Sequence, residues 1–316
     1  MKDIDVVVSG YPSVDKIIYV DNSVELHKTS IIKNDDFLKS YIGGCSINIS
    51  VILSNFGKKA LPVVKVGKDF ESSGFSDFLK SYNVSLEGIQ KVLEVNTSSS
   101  LLIEDTEGNH ITLFYKGAMD KIYDFKIDEE LIKRSSYLVI TVGEKEYNKK
   151  LVEYAVKNDV PIIFGMKCDF DAFDCDLLRE IICNSSLIFM NECEKKEIEK
   201  IFEISDITNL FEITKKLNCI VITHGIEPTN LIYKKNNEII KNSIDVIRLK
   251  NVVDTTGAGD AYMSGFIYGF LNKDTYENCA KIGSATASFI IEKKGCLENI
   301  PNINKIKNRL IEYYGG

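Results

Sequence analysis

The chain has 316 residues, of which 44% are hydrophobic and 27% are charged, and its formal net charge at pH 7 is −7. These values are ordinary for a globular protein with a substantial core. The acidic balance argues against nucleic acid and against an anionic membrane surface as partners, because both carry negative charge.

Strand-like and helix-like segments alternate along most of the chain. In chain order, strands are predicted at 5–9, 60–66, 137–142, 161–164, 187–190 and 219–223. Helices are predicted at 46–56, 70–82, 147–158 and 208–217. The strands are short continuous apolar runs, which are typical of parallel strands buried on both faces. The pattern predicts one α/β domain over 1–316, with a doubly wound, mostly parallel sheet and helices on both faces.

Two further segments have a different pattern. Residues 16–21 and 97–116 alternate in the manner of exposed antiparallel strands, and 106–109 reads as a hairpin turn. We interpret them as a small separate sheet built from about 11–40 and 97–120. Such a sheet serves as a lid or a dimer contact, or it is only a decorative hairpin. Because exposed strand edges invite pairing, a homodimer through this sheet is expected.

The apolar runs and the spacing of the cysteines indicate in which cell compartment the protein is expected. The chain's start has too short an apolar run for a signal peptide, and no run approaches the roughly 18 residues of a membrane span. None of the cysteines has the C-x2-C spacing of a zinc site. They lie at 45, 168, 175, 183, 193, 219, 279 and 296. We therefore expect a cytoplasmic protein with reduced, mostly buried thiols.

The stretch VVDTTGAGDAYMSGF at 252–266 predicts an anion-binding site. Apolar residues recur four apart after it, so a buried helix begins near its glycines. The first N–H groups of a helix lack partners within the helix, and the helix dipole favours negative charge there. Gly257 and Gly259, which flank Ala258, carry no side chains that would keep a phosphate from the backbone.

Asp260 directly follows these glycines. An aspartate at a helix start can simply cap the helix. Capping does not account for two glycines in three positions or for the preceding Asp254-Thr255-Thr256. A carboxylate beside an anion hole can instead accept a proton from a substrate hydroxyl while the hole stabilises transferred charge. The combination favours phosphoryl transfer with Asp260 as general base, and other phosphate-binding fingerprints are absent from the sequence.

The stretch from 254 to 266 resembles the C-terminal signature of the ribokinase-like (PfkB) family of sugar and nucleoside kinases. Other matches occur in the family's order and span residues 10 to 295. They are Gly10 with Asp15, Gly43-Gly44 with Asn48, the NECE motif at 191–194, and Thr223-His224-Gly225. The resemblance implies a ribokinase-like fold and an ATP-dependent kinase that phosphorylates a hydroxymethyl group of a small sugar. A nucleoside is the alternative acceptor, and a non-catalytic sensing homologue is a further one.

The resemblance also implies roles for individual residues. Asp260 with Gly257, Ala258 and Gly259 would be catalytic, and Asp15, Gly43, Gly44 and Asn48 would bind the acceptor. Asn191, Thr223, Gly225 and Ser284 would contact ATP. Glu194 would hold Mg²⁺ through water, and Asp254, Thr256 and Gly295 would bind a monovalent cation such as K⁺.

Simpler interpretations of the same residues stay open. Gly43-Gly44 can be a tight turn, NECE a helix start, and Thr223 to Gly225 a strand-end turn, while Asp254 can merely hold its loop. The sequence also departs from the family pattern in two places. Pro228 and Thr229 stand where the nucleotide loop usually has another glycine. The segment at 164–170 lacks the Asn and Arg of some sugar kinases, and its Lys167 is either a phosphate contact or a solvated loop lysine.

Overall fold

The computed structural model describes residues 2–167 and 172–315. Within these residues the chain forms thirteen β-strands and ten α-helices. The strands are β1 Ile4–Ser9, β2 Ser13–Tyr19, β3 Tyr41–Gly43, β4 Ala60–Gly67, β5 Ile89–Val92, β6 Ser99–Glu104, β7 His110–Tyr115, β8 Ser135–Ile140, β9 Ile162–Gly165, β10 Ser185–Asn191, β11 Cys219–His224, β12 Glu227–Lys235 and β13 Glu238–Ile244. The helices are α1 Cys45–Asn55, α2 Phe75–Ser81, α3 Glu129–Arg134, α4 Lys145–Lys157, α5 Cys175–Asn184, α6 Glu192–Phe202, α7 Leu210–Ile213, α8 Ala258–Leu271, α9 Tyr276–Ile290 and α10 Ile303–Tyr314.

The main sheet has nine strands in the order β13-β12-β11-β10-β9-β8-β1-β4-β5. The strands from β5 to β11 in this order are parallel, and β12 and β13 are antiparallel additions at one edge. In β1, Val7 packs in one core cluster with Tyr147 of α4, while Val6 packs in another with Phe266 of α8. Because helices cover both faces, consecutive residues of the central strands are mostly apolar. The predicted doubly wound α/β fold is confirmed.

A second sheet has four strands in the order β3-β2-β6-β7. The small sheet predicted from the sequence is therefore present, and the turn at 106–109 closes its hairpin, with Asp105 Oδ1 accepting from the N–H groups of Glu107 and Asn109. The expectation of antiparallel pairing was wrong for one pair, because β2 runs parallel to β6. Residue alternation reports which side of a strand is buried, and it is the same for either direction of pairing.

Two predicted helices are shorter than expected. The segment 70–82 contributes only α2, which starts after Gly74 in a left-handed conformation with φ 78°. The segment 208–217 contributes only α7, because Thr214 is extended and its hydroxyl donates to the Cys183 carbonyl oxygen. Strand β5, the hairpin of β12 and β13, and helices α3, α5 and α10 were not predicted.

The described cysteines are all free thiols. Cys45, Cys219, Cys279 and Cys296 are buried, whereas Cys175, Cys183 and Cys193 are exposed. Cys168 lies outside the described residues. Among the helices of the described chain, none combines the length and apolar character needed to cross a bilayer.

Candidate active site

Two cavities meet at the carboxyl edge of the main sheet, where parallel strands of α/β proteins commonly bind ligands. The strand-end cavity, of about 190 Å³, is lined by Asn191 at the end of β10 and Thr223 of β11. The small-sheet cavity, of about 330 Å³, is lined by residues of β2, β6 and β7. The side chains that line both cavities are Cys45, Val142, Lys167 and Asp260. Any group passed between ligands in the two cavities would have to cross at these residues.

Helix α8 starts at this junction without a side-chain cap. Gly257 precedes it in a left-handed conformation with φ 78°, and Asp260 is its third residue. The Ala258 N–H donates to the Thr255 carbonyl oxygen at 3.1 Å, so this amide is occupied in the turn. Within the described residues, the N–H groups of Gly259 and Asp260 form no backbone or side-chain hydrogen bond. The predicted helix start at the glycines is confirmed, and its open amides are available to an anion.

Asp260 is held from the neighbouring helix. Asn48 of α1 donates through Nδ2 to Asp260 Oδ2 at 2.8 Å, and its own Oδ1 is buried without a hydrogen-bond partner among the described residues. Helix α1 begins after Gly44, where φ is 92° and a Cβ would lie 2.2 Å from the Tyr11 carbonyl oxygen. This close approach requires glycine and brings the first turns of α1 and α8 together.

Asp15 of β2 is a buried carboxylate in the small-sheet cavity. It is 8% exposed and accepts a hydrogen bond from the Ser13 hydroxyl. Its Oδ2 would lie 2.8 Å from a Cβ added to Gly43, so the strand backbone passes close to the carboxylate. Burial raises the pKa of Asp15 above its ordinary value. Asp15 and the segment with Gly43, Gly44 and Asn48, which are distant in the sequence, therefore lie together around this cavity.

Replacing Asp15 with asparagine should stabilise the fold and weaken acceptor binding. A carboxyl whose pKa is raised on folding costs folding free energy where it is ionised, and this cost falls as the pH drops toward the raised pKa. The variant should therefore have a higher free energy of unfolding at pH 7, and the gain should shrink in acid. The acceptor KM should rise about 10- to 100-fold, as for a lost hydrogen bond to a charged group. Denaturant titrations at several pH values test the change in unfolding free energy, and steady-state kinetics test the change in KM. A loss of stability at pH 7 would contradict the assignment of Asp15 as a buried carboxylate with a raised pKa.

Lys167, an exposed lysine two residues after β9, gives the junction its positive charge. Among the described residues it is the only cationic side chain that lines either cavity, where Asp15, Glu194 and Asp260 are acidic. Two neighbours hold the pKa of Lys167 above its ordinary value, namely the Cys45 sulfur where it is ionised and the Asp260 carboxylate. Burial raises the pKa of the Cys45 thiol to about 12, so this thiol is neutral at pH 7 and Asp260 is the negative neighbour there.

The NECE motif forms the start of α6. Asn191 Oδ1 accepts from the Glu194 N–H at 2.9 Å, and Glu194 Oε2 accepts from the Asn191 N–H at 2.7 Å. This reciprocal capping box is the simpler interpretation left open by the sequence. Both residues nevertheless line the strand-end cavity, and Glu194 is 6% exposed. The motif thus has a structural role and also places a carboxylate at the cavity wall.

The donor set fits a phosphate-bound Mg²⁺ better than a protein-held metal. Among residues 2–167 and 172–315 no group of three or more His, Cys, Asp or Glu side chains could hold a metal ion. Mg²⁺ keeps several waters and needs only one or two carboxylates when phosphates supply other ligands. A single carboxylate such as Glu194 is sufficient for that arrangement.

Of the other residues predicted to contact ATP, only Thr223 lines one of the two cavities. Thr223 lines the strand-end cavity, but Gly225 lies beyond it with φ 65° in open space. Ser284 lines neither of the two cavities, is 4% exposed, and accepts from the Ile247 N–H at 2.7 Å. The structure therefore groups Thr223 with the junction and leaves Gly225 and Ser284 outside it.

Asp254 ties two loops together beside the helix start. Its Oδ1 accepts from the Thr256 N–H at 2.8 Å and its Oδ2 from the Gly295 N–H at 2.9 Å. The three residues predicted to surround a monovalent cation are thus adjacent. Their hydrogen bonds also match the simpler interpretation, in which Asp254 holds its loop.

Comparison with known proteins identifies the class and then the family. The model described as pfkB family carbohydrate kinase matches residues 4–303. The protein is accordingly a phosphotransferase whose acceptor is a hydroxyl group. More particularly, the chain belongs to the pfkB family of carbohydrate kinases, and the resemblance predicted from the sequence is confirmed.

Several relatives are named nucleoside kinases. The nucleoside kinase of Methanocaldococcus jannaschii is 28% identical over 95% of each chain, and that of Methanothermobacter thermautotrophicus is 28% identical over 99% of this chain and 98% of its own. The crystal structure of the M. jannaschii protein, described as an archaeal member of the ribokinase family, superposes with a TM-score of 0.86 over 98% of this chain and 99% of that one. A Burkholderia thailandensis nucleoside kinase in complex with inosine, 20% identical, has a TM-score of 0.84 over 98% and 99% and shows the same fold.

Two alanine substitutions at the start of α8 should separate stability from catalysis. In Gly257→Ala, the Cβ would lie 2.8 Å from Cys296 Cβ at φ 78°, and unfolding free energy should fall by about 1–3 kcal/mol. Gly259 has nothing within 4 Å of an added Cβ, so Gly259→Ala should be neutral or up to about 1 kcal/mol more stable. Its methyl group would nevertheless obstruct a phosphate in the strand-end cavity and lower kcat about tenfold or more. Denaturation and kcat measured on both variants test this, and a fully active Gly259→Ala would refute the anion hole.

Proposed function

We propose that the protein transfers the γ-phosphoryl group of ATP to the primary hydroxyl of a nucleoside. One observation carries the proposal. Asp260 lies where the two cavities meet, beside the open amides of α8, and Lys167 lines the same two cavities. A base, hydrogen-bond donors for developing charge and a cation are the groups that phosphoryl transfer requires.

The small-sheet cavity suits a nucleoside acceptor. Asp15 and the unpaired Oδ1 of Asn48 are acceptors for sugar hydroxyls at one side of the cavity. Tyr11, Leu102 and Phe114 form an apolar side, and the Tyr11 and Phe114 rings pack edge to face with centroids 4.8 Å apart. A planar base can cover this apolar side, whereas a free sugar would leave hydroxyl groups unpaired against it. The relatives named nucleoside kinases support the same acceptor.

The strand-end cavity would take the phosphates of ATP. Asn191 and Thr223 line it, and Gly225 and Ser284 are proposed contacts further along the nucleotide. When bound to the phosphates, Mg²⁺ would neutralise charge on them, with Glu194 as its partner through water. Asp254, Thr256 and Gly295 would hold K⁺ if a monovalent cation activates the enzyme.

In the reaction, Asp260 accepts the proton of the acceptor hydroxyl as the oxygen attacks the γ-phosphorus. A new P–O bond forms, the bond to the β-phosphate oxygen breaks, and ADP leaves with the electron pair. The open amides of Gly259 and Asp260 and the Lys167 ammonium stabilise the charge on the transferring group. The proton on Asp260 is later released to solvent.

A substrate panel tests the acceptor. We expect ADP release in a coupled assay with ATP, Mg²⁺ and a nucleoside, and a kcat/KM at least about tenfold lower with ribose or other free sugars. The alternative acceptor is a small sugar, which the hydroxyl-binding pair Asp15 and Asn48 would also suit. Higher kcat/KM with a sugar would move the assignment to that alternative, and tight ligand binding without ADP from any acceptor would indicate a non-catalytic homologue.

We also propose a cytoplasmic homodimer formed through the small sheet. The side of β6 and β7 turned away from the cavity exposes Leu101, Leu113 and Tyr115 to 38%, 54% and 49%. Burying such a surface against a second copy would remove it from water. Light scattering should show twice the monomer mass, and a monomer at working concentration would contradict the dimer.

A further inference from the structure

The connection from β2 to β3 in the small sheet packs on the loop between α9 and α10. Lys294 Nζ contacts both carboxylate oxygens of Asp36, at 2.9 and 3.0 Å. The ammonium also lies 4.6 Å from the centroid of the Tyr19 ring and 5.8 Å from that of Tyr41. The Lys294 side chain is only 17% exposed. A Cβ on Gly295 would lie 2.6 Å from Tyr41 Cδ1, so backbone and ring are in direct contact.

Asp36 is fixed to the strand that carries Asp15. Asn34 Nδ2 donates to Asp36 Oδ1 at 2.7 Å and to the Ile17 carbonyl oxygen at 3.0 Å. Asn34 Oδ1 accepts from the Tyr19 N–H at 2.8 Å. Since Ile17 and Tyr19 both belong to β2, a shift of this strand would carry Asp36 with it.

The loop that contains Lys294 is joined on its other side to the start of α8. Gly295 donates to Asp254, and Asp254 in turn accepts from the Thr256 N–H. Cys296 packs on Gly257, where an added Cβ would lie 2.8 Å from Cys296 Cβ. Gly295 and Cys296, which follow Lys294, thus connect the residue that contacts the small sheet to the start of α8.

We propose that Lys294 is a positioning residue for phosphoryl transfer. It keeps the small sheet and the amides of α8 in a fixed position relative to each other. The inference rests on the proposed kinase function. By binding Asp36, Lys294 fixes loop 293–298 against β2. The contacts of this loop with Asp254, and of Cys296 with Gly257, then fix the turn before α8 relative to the loop. The strand that binds the acceptor and the amides that bind the transferring phosphoryl group are therefore held by one set of contacts. Misplacement of about 1 Å at such a site can cost about 100-fold in rate.

Lys294→Met tests this, because methionine keeps much of the apolar stem against the tyrosine rings and removes the charge. We expect kcat to fall about tenfold while KM for ATP stays within about twofold. We also expect the hydrogen-bonded backbone amides within 254–259, those of Asp254, Thr256 and Ala258, to exchange with deuterium about three- to tenfold faster. Asp36→Asn should have the same effects, and the double variant should be no worse than either single variant.

Lys59→Met is the matched control, because Lys59 forms a 2.9 Å ion pair with Asp3 away from both cavities. It should change neither kcat nor the exchange of 254–259. Unchanged exchange at 254–259 in Lys294→Met would overturn the inference, as would an unchanged kcat. If the wild-type protein phosphorylates no acceptor, the proposed function fails, and the exchange measurement still decides whether Lys294 orders this turn.

Discussion

Asp260→Asn should reduce kcat about 10²- to 10⁴-fold with saturating ATP and nucleoside, the usual contribution of a general base. Asparagine cannot accept the proton of the acceptor hydroxyl. It can still accept the hydrogen bond from Asn48 Nδ2 that Asp260 Oδ2 receives at 2.8 Å. The fold and the binding of both ligands should therefore be preserved, and steady-state kinetics with a thermal unfolding curve would show it.

The matched control is Asp274→Asn, which changes an exposed carboxylate just beyond the other end of α8. It should leave kcat within about twofold of the wild type. If Asp260→Asn also retained wild-type kcat while properly folded, another group would have to act as the base.

Lys167→Met should reduce kcat about 10²- to 10³-fold, as does the loss of one donor to developing charge in other enzymes. Among the described residues that line the two cavities, this lysine is the only cation beside Asp15, Glu194 and Asp260. Without it, a transferring phosphoryl group would face these carboxylates with only backbone amides and the metal to offset them. Lys167→Arg should retain part of the rate, because it keeps the charge but changes its geometry.

Lys195→Met is the control for charge alone. Lys195 lies on α6, pairs with Glu192 at 3.3 Å and lines neither of the two cavities. The pKa of Lys167 lies above its ordinary value, so the ammonium should persist and the rate should not fall between pH 8 and 10 through loss of this charge. Near-normal kcat in Lys167→Met would show that amides and metal suffice, and would remove Lys167 from the mechanism.

Features that depend on residues close together in the sequence could be predicted from the sequence. Gly257 could be placed at a helix start because apolar residues recur four apart after it, and the structure begins α8 at Ala258. The buried strands were recognisable because both faces of the parallel sheet demand apolar side chains. By contrast, alternation in β2 could not show that this strand pairs in parallel with β6, a partner more than eighty residues away.

The assembly of the site was predictable only through the family resemblance. Nothing local brings Asn48 to Asp260, whose contact depends on the close packing of α1 at Gly44. Lys167 was left undecided because a lysine after a strand is usually solvated. The available signal was its position two residues after β9, at the carboxyl edge where parallel sheets bind ligands. Cys45 at the junction and the contact of Lys294 with Asp36 carried no recognisable sequence signal.

A structure of the enzyme with a nucleoside and a non-hydrolysable ATP analogue would measure the distance from the Asp260 carboxylate to the acceptor's primary hydroxyl. We predict hydrogen-bond contact, within about 3.2 Å, with the terminal phosphate between that hydroxyl and the open amides of Gly259 and Asp260. A nucleoside whose primary hydroxyl lies away from Asp260, or a terminal phosphate bound far from these amides, would contradict the proposed reaction.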